Sequence, residues 1–151
     1  MALAIRKLTP LDWIIDTDTP ITPETAKQLA AEGWTAAMRY AVDVSAAEFE
    51  GLMAAKLAVG FFTHGRQENF SAETGAADAQ VLLDKAAALG IPPGLTYGLD
   101  FETPHGAPTL AELQAYEAGY GRRILAVPGN IPGVYVGEGL GMTSAQLTHM
   151  V

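Results

Sequence analysis

The sequence predicts an α/β protein built on a parallel sheet. Short apolar runs bounded by glycine, proline and polar turns alternate with segments that open on helix-capping residues. Five such strand–helix pairs follow one another, and strict alternation of this kind requires helical crossovers between parallel strands. Several of the runs also end in a charged residue. In either architecture of the class, a closed barrel or a doubly wound sheet, functional groups collect at the C-terminal ends of the strands.

Residues 1–10 form a short lead-in, and a single domain is expected over 1–151. Trp13-Ile14-Ile15-Asp16 is the first strand, and Thr17-Asp18-Thr19-Pro20 breaks it. Thr22-Pro23 starts a helix, with threonine as N-cap and proline at the first helical position; the helix stops at Gly33. Thr35–Ala41 is the second strand, with Arg39 near its end. Ser45 and Glu48 have capping-box spacing and open a helix that ends near Lys56. Leu57–Thr63 is the third strand and leads into the polar loop His64–Asn69. An alanine-rich helix follows, capped by Ser71 and closed by Gly90.

The fourth strand lies within Gly94–Thr103, bounded by prolines on both sides, and ends in Asp100-Phe101-Glu102. Strand alternation turns both carboxylates to one face and Phe101 to the other. Two crowded acids at the end of a buried strand repel, so one tends to keep its proton near neutrality, an arrangement suited to acid catalysis. Thr109 and Glu112 open the next helix, to about Leu125; Ile131–Gly137 is the fifth strand, and Thr143 to Gln146 opens a last short helix. Asp16, Arg39, His64, Asp100, Glu102 and Glu138 all fall at or just beyond strand ends.

Composition limits the function classes. Seventeen acidic against nine basic side chains give a net charge of −8, which argues against nucleic-acid and anionic-membrane partners. No apolar run approaches the roughly 18 residues of a membrane helix, and no signal peptide is visible. Without cysteine there are no disulfides or thiolate metal sites, and the spacing of His64, His105 and His149 makes no zinc pattern. No glycine-rich phosphate motif follows the first strand, so no cofactor is expected. Gly60, Gly98 and Gly137 instead suggest close packing within strands.

Several spaced motifs carry a resemblance. Asp16-Thr-Asp-Thr-Pro-Ile-Thr-Pro-Glu-Thr-Ala26, Met38-Arg39-Tyr40, Phe70 to Gln80, Ala88 to Gly94 and Gly133-Val-Tyr-Val-Gly137 occur in that order. Together they resemble the glycoside-hydrolase-like domain of the DUF1906 family, which is similar in fold to the lysozyme-type muramidases of glycoside hydrolase family 25. The likeness runs over about residues 12–140.

The resemblance implies a TIM-type (β/α) barrel whose mouth holds Asp16 from strand one and the pair Asp100 and Glu102 from strand four. Glu102 would be the general acid, with Asp100 and Asp16 as electrostatic supports, and the partner would be peptidoglycan or a related polysaccharide. A phage lysin or tail-associated hydrolase acting at the bacterial cell wall would fit. Arg39, Tyr97, Tyr135 and His64 are the candidate substrate-binding residues, with Arg39 as an ion-pair partner restraining Asp16 or Asp100; Tyr97, Tyr135 and Phe62 are expected as core or rim aromatics, of which one stacks on a sugar ring.

Such barrels need about 250 residues and eight strands, so the barrel is apparently incomplete here. A longer polypeptide, a partner chain that completes the barrel, or an open five-stranded sheet would account for that. Two further readings stand beside the hydrolase: a non-catalytic wall-binding or virion structural module of the same fold, and a doubly wound domain of flavodoxin-like size.

Overall fold

The computed structural model of the protein describes residues 12–65, 68–101 and 108–136. Their order is β1 (Ile14–Asp16), α1 (Pro23–Ala31), β2 (Ala36–Tyr40), α2 (Ala46–Ala54), β3 (Ala58–His64), α3 (Ala72–Ala88), β4 (Thr96–Phe101), α4 (Leu110–Leu125) and β5 (Ile131–Val136). The lead-in 1–10, the helix expected from Thr143, and Glu102, His105, Gly137, Glu138 and His149 lie outside the described residues.

The helix starts follow their capping chemistry. Thr22 accepts from the Thr25 amide at 3.1 Å, while Ser71 with Thr74 and Thr109 with Glu112 form reciprocal capping boxes. Ser45 accepts the Glu48 amide at 3.1 Å, but the expected box does not close. The Glu48 side chain turns inward to a buried arginine instead, a stronger pull than a neutral backbone amide. Gly33 (φ +96) and Gly90 (φ +70) supply the left-handed residues that follow the C-caps of α1 and α3.

The five strands are all parallel and lie in the order β1-β2-β3-β4-β5. Right-handed crossovers that always step in one direction place every helix on one face. The packing agrees. Phe61, Tyr97, Leu99 and Phe101 of one strand face meet Phe49 of α2, Ala79, Leu82 and Ala86 of α3, and Leu113, Tyr116, Tyr120 and Ile124 of α4. Ala37 of the same face joins Ala26 and Leu29 of α1 and Leu52 of α2 in a second cluster. A doubly wound, flavodoxin-like sheet needs helices on both faces and a reversal of strand order; the described elements have neither.

Helices α3 and α4 approach at backbone distance. A Cβ on Gly75 would overlap the Tyr116 carbonyl, and one on Gly119 the Ala72 carbonyl. On the opposite sheet face the strand glycines act differently: Met38 lies over Gly60 and the Phe62 ring over Gly98. Glycine there makes room for a neighbour's side chain within the sheet.

Candidate functional site

Strand alternation decides which residues can meet. Cross-strand register places Asp16 beside Met38 and Gly60, Tyr40 beside Phe62 and Gly98, and His64 beside Asp100 and Tyr135. All of these belong to the face turned away from the helices. Asp16, Tyr40 and His64 end their strands, while Asp100 and Tyr135 are next to last in theirs. Thus acids from β1 and β4 and aromatics from β2, β3 and β5 gather at one end of one face.

Asp100 is buried, 8% exposed, and Tyr40 donates a hydrogen bond to its Oδ2. To do so Tyr40 reaches across β3, its ring stacked on His64 at a centroid separation of 3.6 Å and an interplanar angle of 7°. Asp100 Oδ1 is buried with no hydrogen-bond partner among the described residues. The Gly65 amide donates to the Asp100 carbonyl at 2.6 Å, which ties the loop after β3 to the same strand end.

Asp16 is solvent-accessible, yet its pKa is raised. Partial desolvation is the largest cause and the Asp100 charge the next; Arg39 pulls the other way. The effect of Asp100 on Asp16 agrees with the register, which puts the acids of β1 and β4 on one face at one end of the sheet. Thr17, rather than Asp16, closes the following turn, through its Oγ1 and the Thr19 amide at 3.0 Å.

His64 and Tyr135 lie on this face and are both substantially exposed, with His64 Nε2 3.8 Å from Asp43 Oδ2. Phe62 and Tyr135 make an edge contact at 6.4 Å. Together these rings form an aromatic surface beside the acids. Among the described residues no group of three His, Cys, Asp or Glu side chains is placed to hold a metal ion.

Two expected binding residues are placed elsewhere. Tyr97 is 2% exposed and packs in the main core, because its strand parity turns it to the helices; burial also pushes its hydroxyl pKa up. Arg39 shares that parity. It is fully buried and pairs through Nε with Glu48 Oε1 at 2.7 Å, not with Asp16 or Asp100. Glu102, the expected proton donor, lies outside the described residues.

Tyr40 is the site residue that sequence reasoning missed. A signal existed: it alternates with Arg39 near the end of the second strand, so one of the two had to face the acids. The charged residue drew attention, whereas the phenol takes the position.

A crystal structure at 1.07 Å of an uncharacterized B. stearothermophilus protein is similar to this chain, with a TM-score of 0.67 and 19% identity over 83% of this chain. The match spans 60% of that protein's chain, and at this identity the likeness shows the fold alone. No protein-family model and no curated protein matches the sequence.

Proposed function

We propose that the sheet is part of a TIM-type barrel of glycoside-hydrolase-like character, acting on bacterial cell-wall glycan. The observation that carries this reading is the convergence of Asp16 and Asp100, from the first and fourth strands, on one face at the strands' C-terminal ends. Sequential parallel strands with all described helices outside are the geometry of one side of such a barrel. Acids of unequal environment beside an aromatic surface suit glycoside chemistry. One carboxyl protonates the departing glycosidic oxygen, and an anionic neighbour stabilises positive charge at the sugar carbon.

In this reading Glu102, two residues beyond Asp100, is the proton donor, with Asp100 and Asp16 as supports. Exposed Tyr135 and the His64–Tyr40 stack offer apolar faces for a pyranose ring. Peptidoglycan is the partner, and a phage lysin or tail-associated hydrolase is the setting. The experiment is release of reducing sugar from purified peptidoglycan by the wild type and by Glu102→Gln and Asp100→Asn. Wild-type turnover abolished in Glu102→Gln supports the assignment; equal turnover in that variant removes it.

A second reading has its own observation. The described acid nearest the centre, Asp100, is buried with one oxygen already bound by Tyr40, while the aromatic rings remain exposed. That pattern suits a wall-binding module that grips glycan without cleaving it. Retention on insoluble peptidoglycan with no sugar released selects this alternative.

A further inference from the structure

The buried pair Arg39–Glu48 lies on the helix side of the sheet, yet it is wired to the loop that follows Asp16. Arg39 Nε donates to Glu48 Oε1 at 2.7 Å, and Arg39 Nη1 donates to the Thr17 carbonyl. The same Glu48 Oε1 accepts the Ile21 amide at 2.9 Å. One ion pair therefore ties down both ends of the β1–α1 connection: Thr17, next to Asp16, and Ile21, at the entrance to α1. Ser45 fixes the Glu48 backbone from the other side by capping α2.

Stability alone does not account for the pair. Arg39 Nη2 is buried with no hydrogen-bond partner among the described residues, and a desolvated ion pair with an unmet donor is a poor stabiliser compared with apolar side chains of similar volume. What the pair supplies is geometry and field. The guanidinium binds the carbonyl of Thr17, the residue after Asp16, and its charge opposes the effect of Asp100 on the Asp16 carboxyl.

We propose that Arg39 and Glu48 are positioning residues for the site, clasping the β1–α1 loop so that Asp16 is held toward Asp100. The role given to Asp16 rests on the function proposed above; the clasp itself does not. The charged groups that act on Asp16 are Asp100 of β4 and, behind the sheet, Arg39, which is itself paired with Glu48; Tyr40 and His64 share the face of Asp16 and Asp18 follows it in the turn. Arg39 is the permanent cation of this set, and its charge is what holds the Asp16 pKa down against desolvation and Asp100.

The test uses variants of the full chain, Arg39→Met, Arg39→Lys and the double replacement Arg39→Met with Glu48→Met. Three measurements are made: carboxyl-carbon NMR titration of Asp16, hydrogen exchange of the Ile21 amide, and urea unfolding. In the double variant the fold is expected to survive, because the apolar pair leaves no lone buried charge. The Ile21 amide, having lost its acceptor, is expected to exchange about tenfold faster or more. The Asp16 titration should move to higher pH in Arg39→Met, where the cation is lost and Glu48 stays, with partial return in Arg39→Lys; in the double variant the two lost charges offset each other.

A folded double variant whose Ile21 exchange matches the wild type, or an Arg39→Met variant whose Asp16 titration does, overturns the clasp. None of these readouts needs substrate. A wild type that neither binds nor cleaves peptidoglycan would defeat the proposed function while leaving the clasp standing.

Discussion

The hydroxyl of Tyr40 donates to Oδ2 of Asp100 across the width of an intervening strand, with the His64 ring stacked beneath it. This contact joins β2 to β4 without involving the backbone ladder. It also fixes which way the buried carboxylate points, leaving Oδ1 without a partner among the described residues. Tyr40→Phe keeps the ring and the stack but removes the donor. Because the bond is to a buried acid, the loss should cost about 2 kcal/mol of stability, read as a lower urea midpoint with unchanged slope. Under the proposed function, glycan turnover or retention should fall with it.

Gly119, like Gly75, marks a close backbone approach of α3 and α4. Gly119→Ala would gain about 1 kcal/mol of helix propensity in isolation. Here the added methyl meets the Ala72 backbone, which cannot rotate away as a side chain would. Net destabilisation of about 1–3 kcal/mol is expected, measured by chemical denaturation. Gly121→Ala, whose methyl would meet nothing closer than Pro132 at 3.9 Å, is the control on the same helix. It should not destabilise.

Glu117 gives the fold a predictable pH dependence. It is buried on α4, and desolvation raises its pKa from 4.5 to about 7. The unfolded chain loses this proton near the ordinary value, while the folded protein holds it until about 7. The favourable contribution is therefore complete below about 4.5 and is withdrawn as pH climbs to about 7, by at most about 3 kcal/mol. Urea midpoints of Glu117→Gln should lack this part of the decline between pH 5 and pH 8, and the variant should be the more stable protein at pH 8.

Gly98→Ala tests the packing of the site face. The new methyl would strike the Phe62 ring, which lies over Gly98 and touches the Tyr135 ring by its edge. The ring must move, at a cost of about 1–3 kcal/mol. Aromatic NMR signals of Tyr135 should shift, while those of Trp34, which packs in the separate α1–α2 cluster, should not.

Much of this architecture could be read directly from the chain. Thr22, Ser71 and Thr109 mark helix starts through local bonds, and Gly33 and Gly90 mark ends through local backbone conformation, so these boundaries needed no tertiary knowledge. Apolar runs between such punctuation gave the strands, and their strict alternation with helices gave the parallel sheet. The presence of Asp16 and Asp100 at strand ends was likewise a property of the sequence.

Sequence alone could not settle which side of the sheet each strand presents to the helices. A shift of one residue exchanges the two faces, and in β2 both Arg39 and Tyr40 could have faced the acids. Packing placed Arg39 behind the sheet with Glu48, drawing that glutamate away from its expected cap, and left Tyr40 to hold Asp100. It also placed Tyr97 in the core, since the large apolar surface of its ring gains more from α3 and α4 than from the open face. Spacing along the chain determined the elements. Long-range burial, which no local bond encodes, determined which side chains form the site.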